Sequence, residues 1–158
     1  IHSAVASSYL TEIAKKWSDA DVEIHCDEKS MSILDSIQGL KLKQANDGDW
    51  GTEFLSLTVS VAVVNSLEEA LDHIDRYGSG HSEAIITEDQ SNAMKFLDDV
   101  DAAAVFVNAS TRFTDGSALG LGAEVAISTN KMHARGPMGL NELTSYKWTI
   151  IGDGQVRE

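Results

Sequence analysis

Basic residues are scarce in this chain: 12 Lys and Arg face 25 Asp and Glu, a net charge of -13 at pH 7. A field of that sign repels nucleic-acid phosphates and anionic membrane surfaces, so no nucleic acid and no membrane is expected as a partner. An anionic small molecule would need a local cluster of basic and hydrogen-bonding groups. Cysteine is nearly absent, and Cys26 alone can form no internal disulfide, which suits a reducing compartment. Long apolar runs are missing too: nothing approaches the roughly 20 uninterrupted apolar residues of a membrane span. No basic run followed by an apolar segment opens the chain, so a soluble, cytoplasmic protein is expected. His2, His25, His73, His81 and His133 have no regular ligand spacing and no cysteine cluster to support them, so no metal site is expected.

What is present is enough for one core. The chain has 158 residues, 42% of them apolar, which suits one main domain with a short appendage. Tyr9, Leu10, Ile13, Ala14 and Trp17 recur at helical spacing and predict a helix over residues 7–17. A strand follows over 21–26, then a short helix over 27–37 with Met31, Leu34 and Ile37 on one face, then a brief extended piece from Gly39. Turn chemistry marks residues 46–49 as a loop, and the β-branched run over 54–64 reads as one or two strands. Ser66 with Glu69 forms a capping-box pattern that starts a helix with Leu67, Ala70, Leu71 and Ile74 as its stripe, stopped by Gly78 and Gly80 in left-handed conformation. A strand over 83–87, a helix over 89–98 with Ala93, Met94 and Leu97, and a buried strand over 102–108 complete the series. Strands alternating with helices on short connections predict an α/β fold with a mostly parallel sheet flanked by helices. Residues 110–139 read as polar loop, and 143–151 return to β-favouring residues, including Tyr146 and Trp148, without a nearby hairpin partner. An exposed strand edge needs something to pair with, so this tail is taken as an oligomerisation strand.

Ligands in open α/β sheets gather beyond the C-terminal ends of strands, which directs attention to residues 108–116. There, hydroxyl and amide donors beside Arg112 make a seat for a carboxylate or phosphate, because a guanidinium can donate two charge-assisted bonds. The alternative is a polar loop whose arginine pairs with Asp115. Cys26 is either a nucleophile or a small buried hydrophobe; the adjacent Asp27 and Glu28 would raise a thiol pKa, which favours the second. Gly120-Leu121-Gly122 lacks the third glycine of a dinucleotide fingerprint. Asn108-Ala109-Ser110 matches a glycosylation acceptor but sits at the end of a buried strand in a chain without a secretion signal.

Four ordered blocks then resemble a known family. Arg76-Tyr77-Gly78-Ser79-Gly80-His81-Ser82-Glu83, Val107-Asn108-Ala109-Ser110-Thr111-Arg112-Phe113-Thr114-Asp115-Gly116, Gly122-Ala123-Glu124-Val125-Ala126 and His133-Ala134-Arg135-Gly136-Pro137-Met138-Gly139-Leu140 are similar to the C-terminal signature blocks of the gamma-glutamyl phosphate reductases. The likeness extends to the reductase half of the bifunctional pyrroline-5-carboxylate synthases and more faintly to the wider aldehyde dehydrogenase superfamily. It is continuous from about Trp50 onward and weaker over residues 1–46.

The resemblance implies an aldehyde dehydrogenase-like catalytic domain and an oxidoreductase that uses NADPH to reduce L-glutamyl 5-phosphate to L-glutamate 5-semialdehyde, releasing phosphate, in proline biosynthesis. In that chemistry a cysteine thiolate attacks the acyl phosphate, dividing one hard step into two. The family's nucleophile falls upstream of Ile1 and Cys26 does not match its position, so the chain is expected to be a C-terminal fragment, inactive alone. Glu53 resembles the superfamily glutamate that holds the nicotinamide ribose. Asn108, Ser110, Thr111 and Arg112 fall on the loop that lines the substrate pocket, and Arg135 either assists with phosphate or braces the loop around Pro137. The expected division is residues 1–112 catalytic, 113–142 a loop and return segment, and 143–158 an oligomerisation strand and tail, giving a homo-oligomer through Leu143 to Ile151. The rival readings are another member of the aldehyde dehydrogenase superfamily, or a non-catalytic, dimerising domain.

Overall fold

A computed structural model describes all residues, Ile1 to Glu158. Helix α1 (Ser3–Asp19) begins four residues earlier than its apolar spacing predicts, because its buried stripe is Ala6, Leu10 and Ala14. Ala6 is too small to register as the start of a stripe, and Tyr9, which did register, is 48% exposed. His2 closes the helix start, its Nδ1 accepting from the Ala4 amide at 3.1 Å.

Strand β1 (Glu23–Cys26) is the centre of a three-stranded parallel sheet, between β2 (Lys41–Gln44) and β3 (Thr58–Val61). Ile24 pairs in register with Leu42 on one side and Val59 on the other. The core lies here: Leu10, Ala14, Ile24, Cys26, Leu34, Val61 and Val63 form one buried cluster between the sheet, α1 and helix α2 (Glu28–Leu34). Asp27 caps α2 by accepting from the Ser30 amide at 2.7 Å, and its second oxygen accepts from the Val63 amide at 2.9 Å, tying the helix to the end of β3. β3 is much shorter than the apolar run that suggested it. Leu55 has φ +51, a left-handed conformation that breaks a strand, and the segment before it leaves the sheet.

Helix α3 (Leu67–Tyr77) is capped by Ser66, whose Oγ accepts from the Glu69 amide at 3.1 Å. The capping box is displaced: the Glu69 carboxylate reaches past Ser66 and accepts from the Asn65 amide at 2.7 Å. Gly80 is left-handed as expected, with φ +71, whereas Gly78 is extended with φ -64. Gly78 is required for another reason, since a Cβ there would stand 2.6 Å from the Ile74 carbonyl oxygen.

A separate parallel pair, β4 (Ser82–Ile85) and β5 (Ala104–Val107), is joined by helix α4 (Gln90–Asp99), capped by Asp89. α4 buries Ala93 and Phe96, while Met94 and Leu97 are half-exposed; β5, read as a buried strand, is half-buried in the single chain. Within the stretch read as loop, β6 (Ala126–Ser128) and β7 (Gly136–Met138) form a short antiparallel pair. Residues 143–151 carry no regular structure in the single chain, and Tyr146 and Trp148 are 86% and 84% exposed. The fold is α/β with parallel pairing and flanking helices, as the sequence predicts, divided into three small sheets.

Candidate functional site

One wall of the site is made by a chain reversal after β5. Asn108 adopts φ +54, a conformation Asn tolerates better than most residues. Its side-chain amide is spent on the backbone of Thr87: Oδ1 accepts from the Thr87 amide at 2.9 Å and Nδ2 donates to the Thr87 carbonyl at 2.8 Å. Ser110 Oγ then accepts from the Arg112 amide at 3.2 Å and starts a single 3₁₀ turn, Thr111–Phe113. The turn runs back along the sheet, so that buried Thr114 meets Ser82 at the opposite end, Oγ1 to Oγ 2.7 Å apart. Asn108 and Ser110 therefore build the reversal, and Thr111 and Arg112 are what it presents.

The other wall is the segment after the 3₁₀ turn Asp47–Asp49. Buried Asp49 anchors it, with Oδ2 accepting from the Asn46 amide and side chain at 2.8 Å. Those Asn46 bonds, with help from His25, hold the Asp49 carboxyl below the ordinary aspartate range. His25 is buried on β1 between two carboxylates. Its Nε2 lies 2.6 Å from Glu23 Oε1, and its Nδ1 lies 3.1 Å from Asp49 Oδ1, close in charge but off-axis for a hydrogen bond. The Phe54 ring packs edge-on against His25 at 5.0 Å, and Trp50 contacts His73, which contacts Tyr77. Residues 50–54 are thus clamped between the sheet and α3.

Between these walls lies an open cleft of about 690 Å³ lined by Glu53, Thr111 and Arg112 together with Thr52, Tyr77, Ser79, His81, Ser82, Thr114 and Thr129. Hydroxyl and imidazole donors and one guanidinium converge there, with Glu53 the single carboxylate among the lining residues. In a chain of net charge -13 that is a locally balanced lining, suited to an anion near Arg112 and to hydroxyl groups near Glu53. A neighbouring smaller pocket of about 250 Å³ is lined instead by Asp75, Glu83, Asp99 and Asp101, with burial pushing the Glu83 carboxyl up. Its acidic lining disfavours an anion. Arg135 lines neither: it donates to Asp101 at 2.7 Å beside Lys131, which also pairs with Asp101.

Glu53, Thr111 and Arg112, singled out from the sequence, line one cleft together with His81, Ser82 and Thr114, to which the sequence assigned no role. His81 and Ser82 stand at the start of β4, away from the C-terminal strand ends where ligands gather, and only the reversal carries Thr114, within residues 108–116, back to them. Adjacent His-Ser at that strand start was the available signal. Cys26 is fully buried; desolvation, with a smaller push from Asp27, raises its thiol pKa against an opposing Ser30 bond, so little reactive thiolate forms.

The aldehyde dehydrogenase family model matches residues 52–149. Gamma-glutamyl phosphate reductase of Dehalococcoides mccartyi is 58% identical over 157 residues, covering 99% of this chain and 37% of that protein. The Agathobacter rectalis protein of the same name is 51% identical over 158 residues, again 37% of its length. A solved gamma-glutamyl phosphate reductase from Thermotoga maritima superposes with a TM-score of 0.92 at 46% identity, covering 100% of this chain and 37% of that one. The chain thus spans somewhat over a third of the length of the curated relatives it matches.

Proposed function

The chain belongs to the aldehyde dehydrogenase family, and from that premise we propose that the whole protein reduces L-glutamyl 5-phosphate to L-glutamate 5-semialdehyde, releasing phosphate, with NADPH as reductant. The observation that carries this reading is the single cleft that brings Arg112 and Thr111 opposite Glu53, within a chain that is 51% to 58% identical to relatives of that name. Arg112 holds the anionic end of the substrate, with Thr111 as a further donor. Glu53, an exposed carboxylate with Thr52 beside it on the same wall, fits the paired hydroxyls of a ribose, and a nicotinamide cofactor bound there would supply hydride. Asn108 and Ser110 shape the loop, and Arg135 braces the β6–β7 return through Asp101.

The acyl-transfer step needs a thiolate, which buried Cys26 is unsuited to supply. The nucleophile in this reading comes from sequence outside these residues, and the 158-residue chain is inactive alone. Residues 1–112 serve the catalytic domain, 113–142 the return segment, and the exposed apolar tail over 143–151 pairs with a second copy, in a cytoplasmic enzyme of proline biosynthesis. The whole protein is expected to oxidise NADPH with L-glutamyl 5-phosphate, and in reverse to reduce NADP with the semialdehyde and phosphate. No turnover in either direction would overturn the assignment, and turnover by the 158 residues alone would overturn the external thiolate.

A further inference from the structure

We propose that His81 is a second anion-binding residue of the cleft, donating from Nε2 to a phosphoryl oxygen of the substrate while Ser82 and Thr114 fix its ring. The proposal rests on the reading of the cleft given above and names how the phosphoryl group is recognised. His81 lines the same cleft as Arg112. Its backbone is pinned, because the His81 carbonyl accepts from the Ala104 amide at 3.0 Å, so the ring is carried on the β4–β5 ladder. Its Nδ1 lies 2.7 Å from Ser82 Oγ, and Ser82 Oγ lies 2.7 Å from Thr114 Oγ1. Thr114 is only 8% exposed, so the far end of this chain of polar atoms is fixed inside the protein.

The distances allow the chain to run in either direction, and an anion at the ring selects one of them. With Thr114 donating to Ser82 and Ser82 donating to Nδ1, the ring proton resides on Nε2. That nitrogen has no protein partner and is the polar atom the ring has left for a ligand. Thr114 and Arg112 sit on one 3₁₀ reversal, so the same backbone that positions the guanidinium also orients the imidazole. Two donors from independent elements, β4's approach and the turn after β5, then converge on one anion. Such convergence favours a tetrahedral phosphate over a planar carboxylate, which a single guanidinium satisfies bidentately. The phosphate on the cofactor's ribose shares this chemistry, and the structure favours the substrate's phosphate because Glu53, on the opposite wall, is the group suited to ribose.

The test is inorganic phosphate binding by the whole protein, followed by ³¹P NMR, with 2′,5′-ADP as the probe for the cofactor's phosphate. His81→Asn keeps an atom at the Nδ1 position for Ser82 but loses the donor facing the cleft, and is expected to weaken inorganic phosphate about tenfold or more. His81→Gln places an amide nitrogen near the Nε2 position and is expected to retain affinity within about threefold, and neither should change 2′,5′-ADP binding. If His81→Asn binds phosphate as wild type while Arg112→Ala does not, the His81 assignment falls and the proposed function survives. Phosphate binding that is absent in wild type, or indifferent to both residues, overturns both. An effect on 2′,5′-ADP alone overturns the substrate assignment. Should His81→Asn fail to fold, Ser82→Ala decides: wild-type phosphate affinity in that variant overturns the orienting chain.

Discussion

Cys26 shows how one residue type can mislead or inform according to what surrounds it. As the only thiol it invites a catalytic reading, yet its side chain is packed among Leu10, Ile24 and Val61 in the one substantial core of the chain. Replacing it by Ala removes a small buried group, and is expected to cost about 1 kcal/mol of stability with no change in the whole protein's turnover number, checked by chemical denaturation and by steady-state kinetics. Loss of turnover in a folded variant would place the nucleophile here after all. Glu53, Thr111 and Arg112 could be named from sequence because a motif and a chemistry coincided at each. His81 could not, since its role depends on a hydroxyl at Thr114, 33 residues away, that only the folded reversal brings to its neighbour.

Among the elements, those with capping signals and full apolar stripes were legible and those built from local exceptions were not. Ser66 is a case of the first kind: Ser66→Ala removes the acceptor for the Glu69 amide and is expected to destabilise α3 by about 1 kcal/mol, measured as a shift in the denaturation midpoint. α4 lies within a residue of the span read from its apolar residues, and Asp89 caps it. α1 was placed late because its first buried residue is an alanine, and β3 was drawn too long because a left-handed Leu55 is invisible in a hydrophobic pattern. The β6–β7 pair, three residues on each strand, is too short for alternation to rise above its glycine-rich surroundings. In each case the missing information was a tertiary contact or a backbone angle and not a propensity.

For the whole molecule, the acidic balance has a consequence for stability. Asp101 is held below the ordinary aspartate value of 3.8 by bonds from Lys131 and then Arg135, Asp49 by Asn46, and Glu23 below 4.5 by His25. A carboxyl whose folded pKa is depressed contributes stability that is complete above its ordinary value and is lost as pH falls through the lower, folded value. The melting temperature is therefore expected to fall on acidification below about pH 4, with the β6–β7 return, tied through Arg135 and Lys131 to Asp101, loosening early. A melting temperature that stays level to about pH 2 would contradict this.

The same scale holds the central claim, that a chain repelling anions overall gathers one cleft that binds them. Its most direct test is the Michaelis constant for phosphate in the reverse reaction of the whole enzyme, wild type against Arg112→Ala. The account predicts an increase of about tenfold to a hundredfold, the loss of a hydrogen bond to a charged group. An unchanged constant in a folded, active Arg112→Ala enzyme would contradict it.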